Sequence, residues 1–325
     1  MKSVATVLFV ILSGLVSAGS PSGYHVTNQI KVPGVGGWDY LVVDDVARRV
    51  YISHATQVDV LDADSGKIVG TIPGTPGVHG IALDPQLGRG FITAGKADCV
   101  VIFDLKTLQT ISRVSTGKKP DAIVFEPATN RVFAMDGGSK NVTVINAADG
   151  SVTATIELSG APEFSIADGQ GSVWINLEDK SQLVRLDSRS MKIANRWPVS
   201  PCEAPSSMAF DQRNRRLFLG CRSHLMAVVD ADSGKVVASY PIGDHVDASA
   251  FDPSAKLVFN STGDGNVAIF RQDAPDKYTF LENVSTTSGS KTMALDVKTH
   301  RLYIPAMRGG EFTVLILDRN ALPGS

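Results

Sequence analysis

The sequence DPSAKLVF at residues 252–259 is one copy of a short motif that recurs along this chain. Each copy has an acid, in several cases followed by proline, and an aromatic side chain seven residues further on. The pairs are Asp44/Tyr51, Asp84/Phe91, Glu126/Phe133, Asp211/Phe218, Asp252/Phe259 and Asp296/Tyr303, and Asp168/Trp174 is a seventh copy that is one residue shorter. Successive acids lie 40, 42, 42, 43, 41 and 44 residues apart, which is the period of a four-stranded propeller blade.

Each unit has the pattern of four short strands. The third stretch, such as 58–61, is followed by a tight turn such as 62–67, where Asp and Ser can cap the turn and Gly accepts a positive φ. The last unit lacks a fourth stretch, whereas residues 24–32 resemble the fourth stretches of the other units. We therefore expect an all-β, seven-bladed β-propeller of four-stranded antiparallel blades, with residues 24–32 as the strand that closes the last blade.

The first residues have the pattern of a cleavable signal peptide. A basic start is followed by the mostly apolar stretch 4–16 and by small residues up to Ala18. The alternative is an uncleaved anchor, but the apolar stretch is shorter than the ~20 residues that a spanning helix needs. The sequence thus predicts a signal peptide at 1–18 and a single propeller domain at 19–325. The protein is expected to be periplasmic or secreted, with no membrane span after cleavage.

The composition indicates a well-packed globular protein. Of the 325 residues 43% are hydrophobic and 20% are charged, which excludes a disordered or collagen-like chain. The net charge of −2 gives no overall attraction to DNA, RNA or anionic membranes. Three cysteines are too few for a disulfide framework, but Cys202 and Cys221 fall close together in the expected topology. In an oxidising compartment we expect them to form a disulfide, with Cys99 as a buried thiol.

These features together resemble the YVTN or YncE-like β-propeller repeat proteins, related in architecture to WD40 repeats. The resemblance covers nearly the whole mature chain, although no unit has the literal Tyr-Val-Thr-Asn; the equivalents are YISH at 51–54 and FITA at 91–94. It implies the fold, but propellers have many unrelated activities, among them lactonases and quinone-dependent dehydrogenases. The quinone family carries a Trp after its Gly-Lys turn, which the turns at 66–67 and 234–235 lack, so PQQ is not expected. A haem attachment motif is also missing.

The position five residues before each repeat acid is polar in all seven units. Because the first strand of a blade lines the central channel, these side chains should surround one mouth of it, which we name the top face. They are Asp39, His79, Asp121, Glu163, Ser206, Asp247 and Lys291. One interpretation is a ligand site, with Asp121, Glu163 and Asp247 holding a divalent cation such as Ca²⁺ and with His79 or His245 as a general base. The other is that these residues are simply hydrated in a wet channel.

More ionisable residues map to the top face through the turns between the second and third strands. They are His54, Asp136, Arg222, His224, Asp264 and Arg308, with Asp98, Glu178 and Asp179 beside them. His245 and Asp247 are two residues apart on an extended segment and should point the same way, so they could share a metal or a proton.

The sequence therefore favours an exported binding or interaction module, a monomer that binds a protein or small molecule through the top face. The alternative is a metal-assisted, lactonase-like hydrolase with a divalent cation at the channel mouth. No Gly-x-Ser-x-Gly, Walker, Rossmann or His-Glu-x-x-His motif is present. No nucleic-acid partner is expected, and no cofactor other than a divalent cation.

Overall fold

A computed structural model describes residues 21–34 and 36–320. These residues form 28 strands in seven antiparallel four-stranded sheets, and a single 3-10 turn at Glu178–Lys180. The first strands of consecutive sheets contact one another around the whole ring. The expected all-β, seven-bladed propeller is therefore confirmed. The described residues contain no helix that is long and apolar enough to cross a membrane.

The strands are numbered along the chain, four to a blade. Blade one has β2 (Trp38–Asp44), β3 (Arg49–His54), β4 (Gln57–Asp62) and β5 (Ile68–Pro73), and blade two has β6 (Val78–Asp84), β7 (Arg89–Ala94), β8 (Cys99–Asp104) and β9 (Thr110–Ser115). Blade three has β10 (Pro120–Glu126), β11 (Arg131–Asp136), β12 (Asn141–Asn146) and β13 (Val152–Glu157), and blade four has β14 (Pro162–Ala167), β15 (Ser172–Leu177), β16 (Gln182–Asp187) and β17 (Lys192–Pro198). Blade five has β18 (Pro205–Asp211), β19 (Arg216–Cys221), β20 (Leu225–Asp230) and β21 (Val236–Pro241), and blade six has β22 (Val246–Asp252), β23 (Leu257–Thr262), β24 (Asn266–Ala274) and β25 (Lys277–Ser285). Blade seven has β26 (Ala294–Asp296), β27 (Arg301–Arg308), β28 (Glu311–Arg319) and β1 (Tyr24–Lys31).

The N-terminal strand β1 closes the last blade, as expected. It pairs antiparallel with β28, from Tyr24 opposite Arg319 to Lys31 opposite Thr313. Every blade thereby has four strands although the last repeat encodes only three. The expected signal peptide at 1–18 lies outside the described residues and stays a prediction, as does the domain boundary at 19.

The repeat acid caps the turn between the first two strands of its blade. Asp252 shows the arrangement, because its Oδ1 accepts hydrogen bonds from the backbone nitrogens of Ser254 at 3.0 Å and Ala255 at 2.9 Å. Its side chain is fully buried, and its other oxygen lies 2.6 Å from Nδ1 of His300 in the next blade. A buried carboxylate is tolerated only when it is bonded in this way. The acid therefore fixes a turn and joins two blades.

The repeat aromatic residue packs between neighbouring blades. Tyr51 of blade one is fully buried, and its ring centroid lies 5.8 Å from that of Phe103 in blade two. Trp174 is also fully buried and donates its indole N–H to the carbonyl of Ala231 in blade five at 3.2 Å. Burying an aromatic side chain of this size stabilises the fold by roughly 1.5–3 kcal/mol. The hydrophobic core is thus a set of layers between blades.

The cysteines occupy the positions that the repeat suggested. Cys202, in the loop that enters blade five, forms a disulfide with Cys221 at the end of β19, and their Cα atoms are 5.4 Å apart. Cys99 at the start of β8 is a free, buried cysteine.

Candidate functional site

Three consecutive blades bring Asp39, His79 and Asp121 together at the top mouth of the channel. Nδ1 of His79 lies 2.5 Å from Oδ2 of Asp39 and 3.8 Å from Oδ1 of Asp121. Each residue is the second of its strand, in β2, β6 and β10. The strand register shifts at this point in all three blades, and such a bulge re-aims a side chain. The bulges explain how residues of the innermost strands come to face one another.

A glycine makes room for His79. A Cβ atom at Gly95, which follows β7 in the same blade, would lie 2.9 Å from Cδ2 of His79 and 3.2 Å from the carbonyl oxygen of Pro120. Any larger residue at this position would push the imidazole or the neighbouring blade away. The close approach of the Gly95 backbone to the imidazole ring of His79 is therefore part of the site.

The other half of the mouth carries carboxylates that have basic partners. Nζ of Lys291 lies 2.5 Å from Oδ2 of Asp247. The guanidinium of Arg222 lies 3.3 Å from Glu163 and 2.5 Å from Glu178, which belongs to the 3-10 turn of blade four. We name the group Asp39, His79, Asp121, Glu163, Glu178, Arg222, Asp247 and Lys291 the acidic cup. It contains five carboxylates and three basic side chains.

Two aromatic rings lie in the channel beside the acidic cup. Tyr40 of blade one and Phe164 of blade four come from opposite sides of the ring, and their centroids are 5.5 Å apart. Both line a cavity of about 100 Å³ within the channel. Burial, and then the negative charges of Asp121 and Asp39, raise the pKa of Tyr40 well above its usual value. The hydroxyl group therefore stays protonated close to the carboxylates.

The carboxyl groups of the acidic cup hold protons unusually well. Burial raises the pKa of Asp121 to about 7, an effect that the nearby His79 partly offsets. Burial and the negative charges of Asp121 and Glu178 raise the pKa of Glu163 to about 8. The pKa of His79 is also raised, chiefly because the imidazole is hydrogen-bonded to Asp39. Perturbed pKa values that cluster in a cleft are typical of functional sites.

Three residues expected at the top face, Ser206, Asp136 and His54, are buried. Ser206 is fully buried, and its hydroxyl donates to the carbonyl of Val246 at 2.6 Å, so it does not join the mouth. Asp136 is fully buried and accepts a 2.6 Å hydrogen bond from Thr143. Both side chains are held by bonds within or between blades rather than by solvent. The spacing along the chain predicted where these residues lie along their strands, but not what their side chains contact.

His54, which was expected in the turn after the second strand, is the third of these buried residues and is the last residue of β3. It is 1% exposed, its Nδ1 lies 2.8 Å from Asp59, and its ring packs on Phe312 with centroids 4.3 Å apart. The physical reason is that β3 continues through His54, so the side chain enters the packing between blades one and seven.

His224, Arg308 and Asp264 are exposed on the top face. His224 pairs with Asp244 at 2.6 Å, and Arg308 donates to Gln29 at 3.0 Å. Asp264 accepts a 2.6 Å hydrogen bond from Thr262.

The expected sharing of a metal or proton between His245 and Asp247 is not supported. His245 is exposed and has a φ of 54°, whereas Asp247 is buried and paired with Lys291. The left-handed backbone and the register shift that follows it break the alternation on which that expectation rested.

The expected cation ligands Asp121, Glu163 and Asp247 do not form one cluster. Among the described residues, the three that bring ligand atoms within 4.8 Å of one another are Asp39, His79 and Asp121. An imidazole nitrogen with two carboxylates suits Zn²⁺ or Mn²⁺ better than Ca²⁺, which takes oxygen ligands.

Sequence reasoning missed Tyr40 and Phe164, although a signal was present. They occupy the position directly after the polar ring, where the other five blades carry small residues. Those residues are Gly80, Ala122, Ser207, Ala248 and Thr292.

Comparisons with solved structures show the propeller fold. A chain of hydrazine synthase from Kuenenia stuttgartiensis matches with a TM-score of 0.75 and 14% identity, covering 96% of this chain and 99% of that one. The structure of U3-55K matches with a TM-score of 0.79 and 10% identity, covering 90% of this chain and 99% of that one. The WD40 repeats of RRP9 match with a TM-score of 0.78 and 10% identity, covering 93% of this chain and 99% of that one. Such low identity shows the fold alone. No family model matches the sequence, and no curated protein matches it.

Proposed function

We propose that this chain is an exported binding module, of the YVTN or YncE-like kind, that holds a cationic group of its ligand in the acidic cup. The observation that carries the proposal is the clustering of five carboxyl groups with three basic side chains, Lys291, Arg222 and His79. The raised pKa values of Asp121 and Glu163, which are due chiefly to burial, indicate that the free cup holds protons because it has too few cations to offset that burial. A cationic group of a ligand would displace these protons and would interact with the charged carboxylates through a lower dielectric than that of water.

The opposite mouth of the channel argues against a merely hydrated channel. The residue directly before each repeat acid is apolar and half-buried in all seven blades. These residues are Val43, Leu83, Phe125, Ala167, Phe210, Phe251 and Leu295. If polarity only reflected contact with channel water, both ends of the same strands would be polar. The concentration of charge at one end favours a binding role there.

The neighbouring aromatic rings favour a ligand with an ammonium or guanidinium group. Tyr40 and Phe164 lie in the channel beside the carboxylates. An organic cation is attracted to the face of an aromatic ring as well as to carboxylates. A lysine or arginine side chain of a partner protein, or a small amine, has this chemistry.

Calorimetric titration with defined probes tests the proposal. An oligolysine peptide and spermidine should bind the mature protein with an affinity that falls as salt rises, whereas an oligoglutamate peptide should not bind. The double variant Asp39→Asn, Asp121→Asn should weaken binding by about tenfold or more. Asp264→Asn, which removes an exposed carboxylate on the same face, is the matched control and should change little. The proposal would be refuted if both peptides bound equally well, or if the double variant bound oligolysine as tightly as the wild type does.

A second candidate function is hydrolysis with His79 as general base. The specific observation in its favour is the 2.5 Å contact between Asp39 and Nδ1 of His79, because a carboxylate that orients an imidazole is a common catalytic arrangement. A screen of lactones and esters tests it with His79→Gln, using His224→Gln as a control that removes another carboxylate-paired imidazole on the same face. Absence of turnover in the wild type, or equal rates in both variants, would exclude this candidate.

A further inference from the structure

We infer that Asp39, His79 and Asp121 bind a single divalent transition-metal ion of the Zn²⁺ class at the top mouth of the channel. The inference goes beyond the proposed function, because the ion would occupy part of the acidic cup in place of the cationic group of a ligand. A partner group with a free electron pair, such as a carboxylate or an imidazole, would then bind at the open coordination positions of the ion.

The geometry requires only small side-chain movements. Ligands 2.0–2.2 Å from a tetrahedral Zn²⁺ lie about 3.3 Å from one another. In this structure Nδ1 of His79 is 2.5 Å from one carboxylate and 3.8 Å from the other, distances that lie on either side of that value. Small rotations of the three side chains would place one ion between them.

The pairing of the other carboxylates selects these three residues. Asp247 is engaged by Lys291, and Glu163 is engaged by Arg222. Among the residues that the structure describes, the one basic side chain within 4 Å of Asp121 is His79. A metal ion at Asp39 and Asp121 therefore displaces no Lys or Arg, whereas one at Asp247 or Glu163 would.

The site is accessible and leaves coordination positions open. The side chain of His79 is 36% exposed and that of Asp121 is 30% exposed, so an ion can enter from solvent. Three protein ligands and a solvent-facing side are the usual composition of an open zinc site, in contrast to the four protein ligands of a closed structural site. Ca²⁺ is disfavoured because it takes six to eight oxygen ligands and rarely imidazole.

Titration of the chelator-treated mature protein with ZnCl₂, MnCl₂ and CaCl₂ tests the inference by calorimetry. We expect one Zn²⁺ per chain, bound about 100-fold more tightly than Ca²⁺. His79→Gln and Asp39→Asn should each weaken Zn²⁺ binding by about 100-fold, since each removes a ligand. His224→Gln should leave Zn²⁺ binding unchanged, because it removes an exposed imidazole paired with Asp244 on the same face.

Three outcomes would overturn the inference: no saturable Zn²⁺ binding, equal affinity for Zn²⁺ and Ca²⁺, or loss of binding in His224→Gln instead of His79→Gln. Circular dichroism of each variant checks that it is folded, and the NMR shift of the His79 ring on Zn²⁺ addition gives a readout in the wild type. Oligolysine titrations in the absence of metal separate the two ideas. Oligolysine binding without Zn²⁺ binding would leave the proposed function standing and refute the metal site.

Discussion

At the scale of single residues, the acidic cup places carboxyl groups where their charged forms are disfavoured. The pKa of Asp121 is raised to about 7 and that of Glu163 to about 8, in both cases chiefly by burial. In the unfolded chain both groups ionise near pH 4. Between about pH 4 and pH 8 the folded protein therefore binds more protons than the unfolded chain. The contribution of these groups to stability is fully present below about pH 4 and is lost progressively until the pH has risen through the folded pKa values of about 7 and 8.

Replacing Glu163 with Gln should stabilise the protein at high pH. At pH 9 the substitution removes a desolvated negative charge that has Asp121 and Glu178 as neighbours, so we expect the free energy of unfolding to rise by about 1–2 kcal/mol. At pH 5 the group is protonated in the folded protein, so the change should be much smaller. Urea unfolding at both pH values measures the difference. The exposed Glu203→Gln is the control, and an equal effect of Glu163→Gln at pH 5 and pH 9 would contradict the argument.

At the scale of the repeated element, the acid and the aromatic residue recur because each has a fixed physical task. The acid caps a turn and accepts a bond from the next blade, as Asp252 does with His300 and as Asp296 does with Arg48 at 2.7 Å. Arg48 and His300 both have positive φ, 55° and 62°, because they occupy the same left-handed position of the turn. The connection between blades is therefore part of the repeat itself.

Removing a repeat acid should cost far more stability than removing an exposed turn acid. Asp252→Ala deletes a buried acceptor of two backbone hydrogen bonds and an inter-blade partner, so we expect a loss of about 3 kcal/mol. Asp149→Ala removes an exposed acceptor for Ser151, which water can replace, and should lose much less. Equilibrium unfolding in urea compares the two variants. Similar losses would show that the inter-blade bond contributes little.

The repeat also explains which parts of the site could be predicted from the sequence. The repeat spacing predicted that the polar residues lie near one end of the first strands, because that position depends only on distance along the strand. The spacing could not predict where each side chain points, because the bulge after Pro205 turns Ser206 toward the carbonyl of Val246. The pairing of Tyr40 with Phe164 joins distant blades across the channel, a contact that no local pattern encodes.

At the scale of the whole molecule, the ring is closed by residues from the two ends of the described chain. Tyr24 of β1 pairs with β28 and is also 4% exposed, with its ring packed edge-on against that of Phe259 at a centroid distance of 5.1 Å. Its hydroxyl group donates a hydrogen bond of 2.7 Å to the carbonyl of His300. The backbone nitrogen of Asn320 donates to Gly23 at 3.0 Å. Contacts so distant in sequence form only after loop-closure entropy has been overcome, so closure should be among the late steps of folding.

Removing the closing strand should leave a folded but association-prone ring. A chain that begins at Val32 loses all the hydrogen bonds between β1 and β28, so the edge of β28 and the apolar side chains beneath it become available to other chains. We expect a lower melting temperature and concentration-dependent oligomers in size-exclusion chromatography, whereas a chain that begins at Pro21 should remain stable. Adding the peptide 21–31 to the truncated chain should restore the monomer, because the missing strand can pair in trans. A truncated chain that is monomeric and melts like the longer one would show that three strands suffice for blade seven. The N-terminal strand would then be an addition to the ring and not its closure.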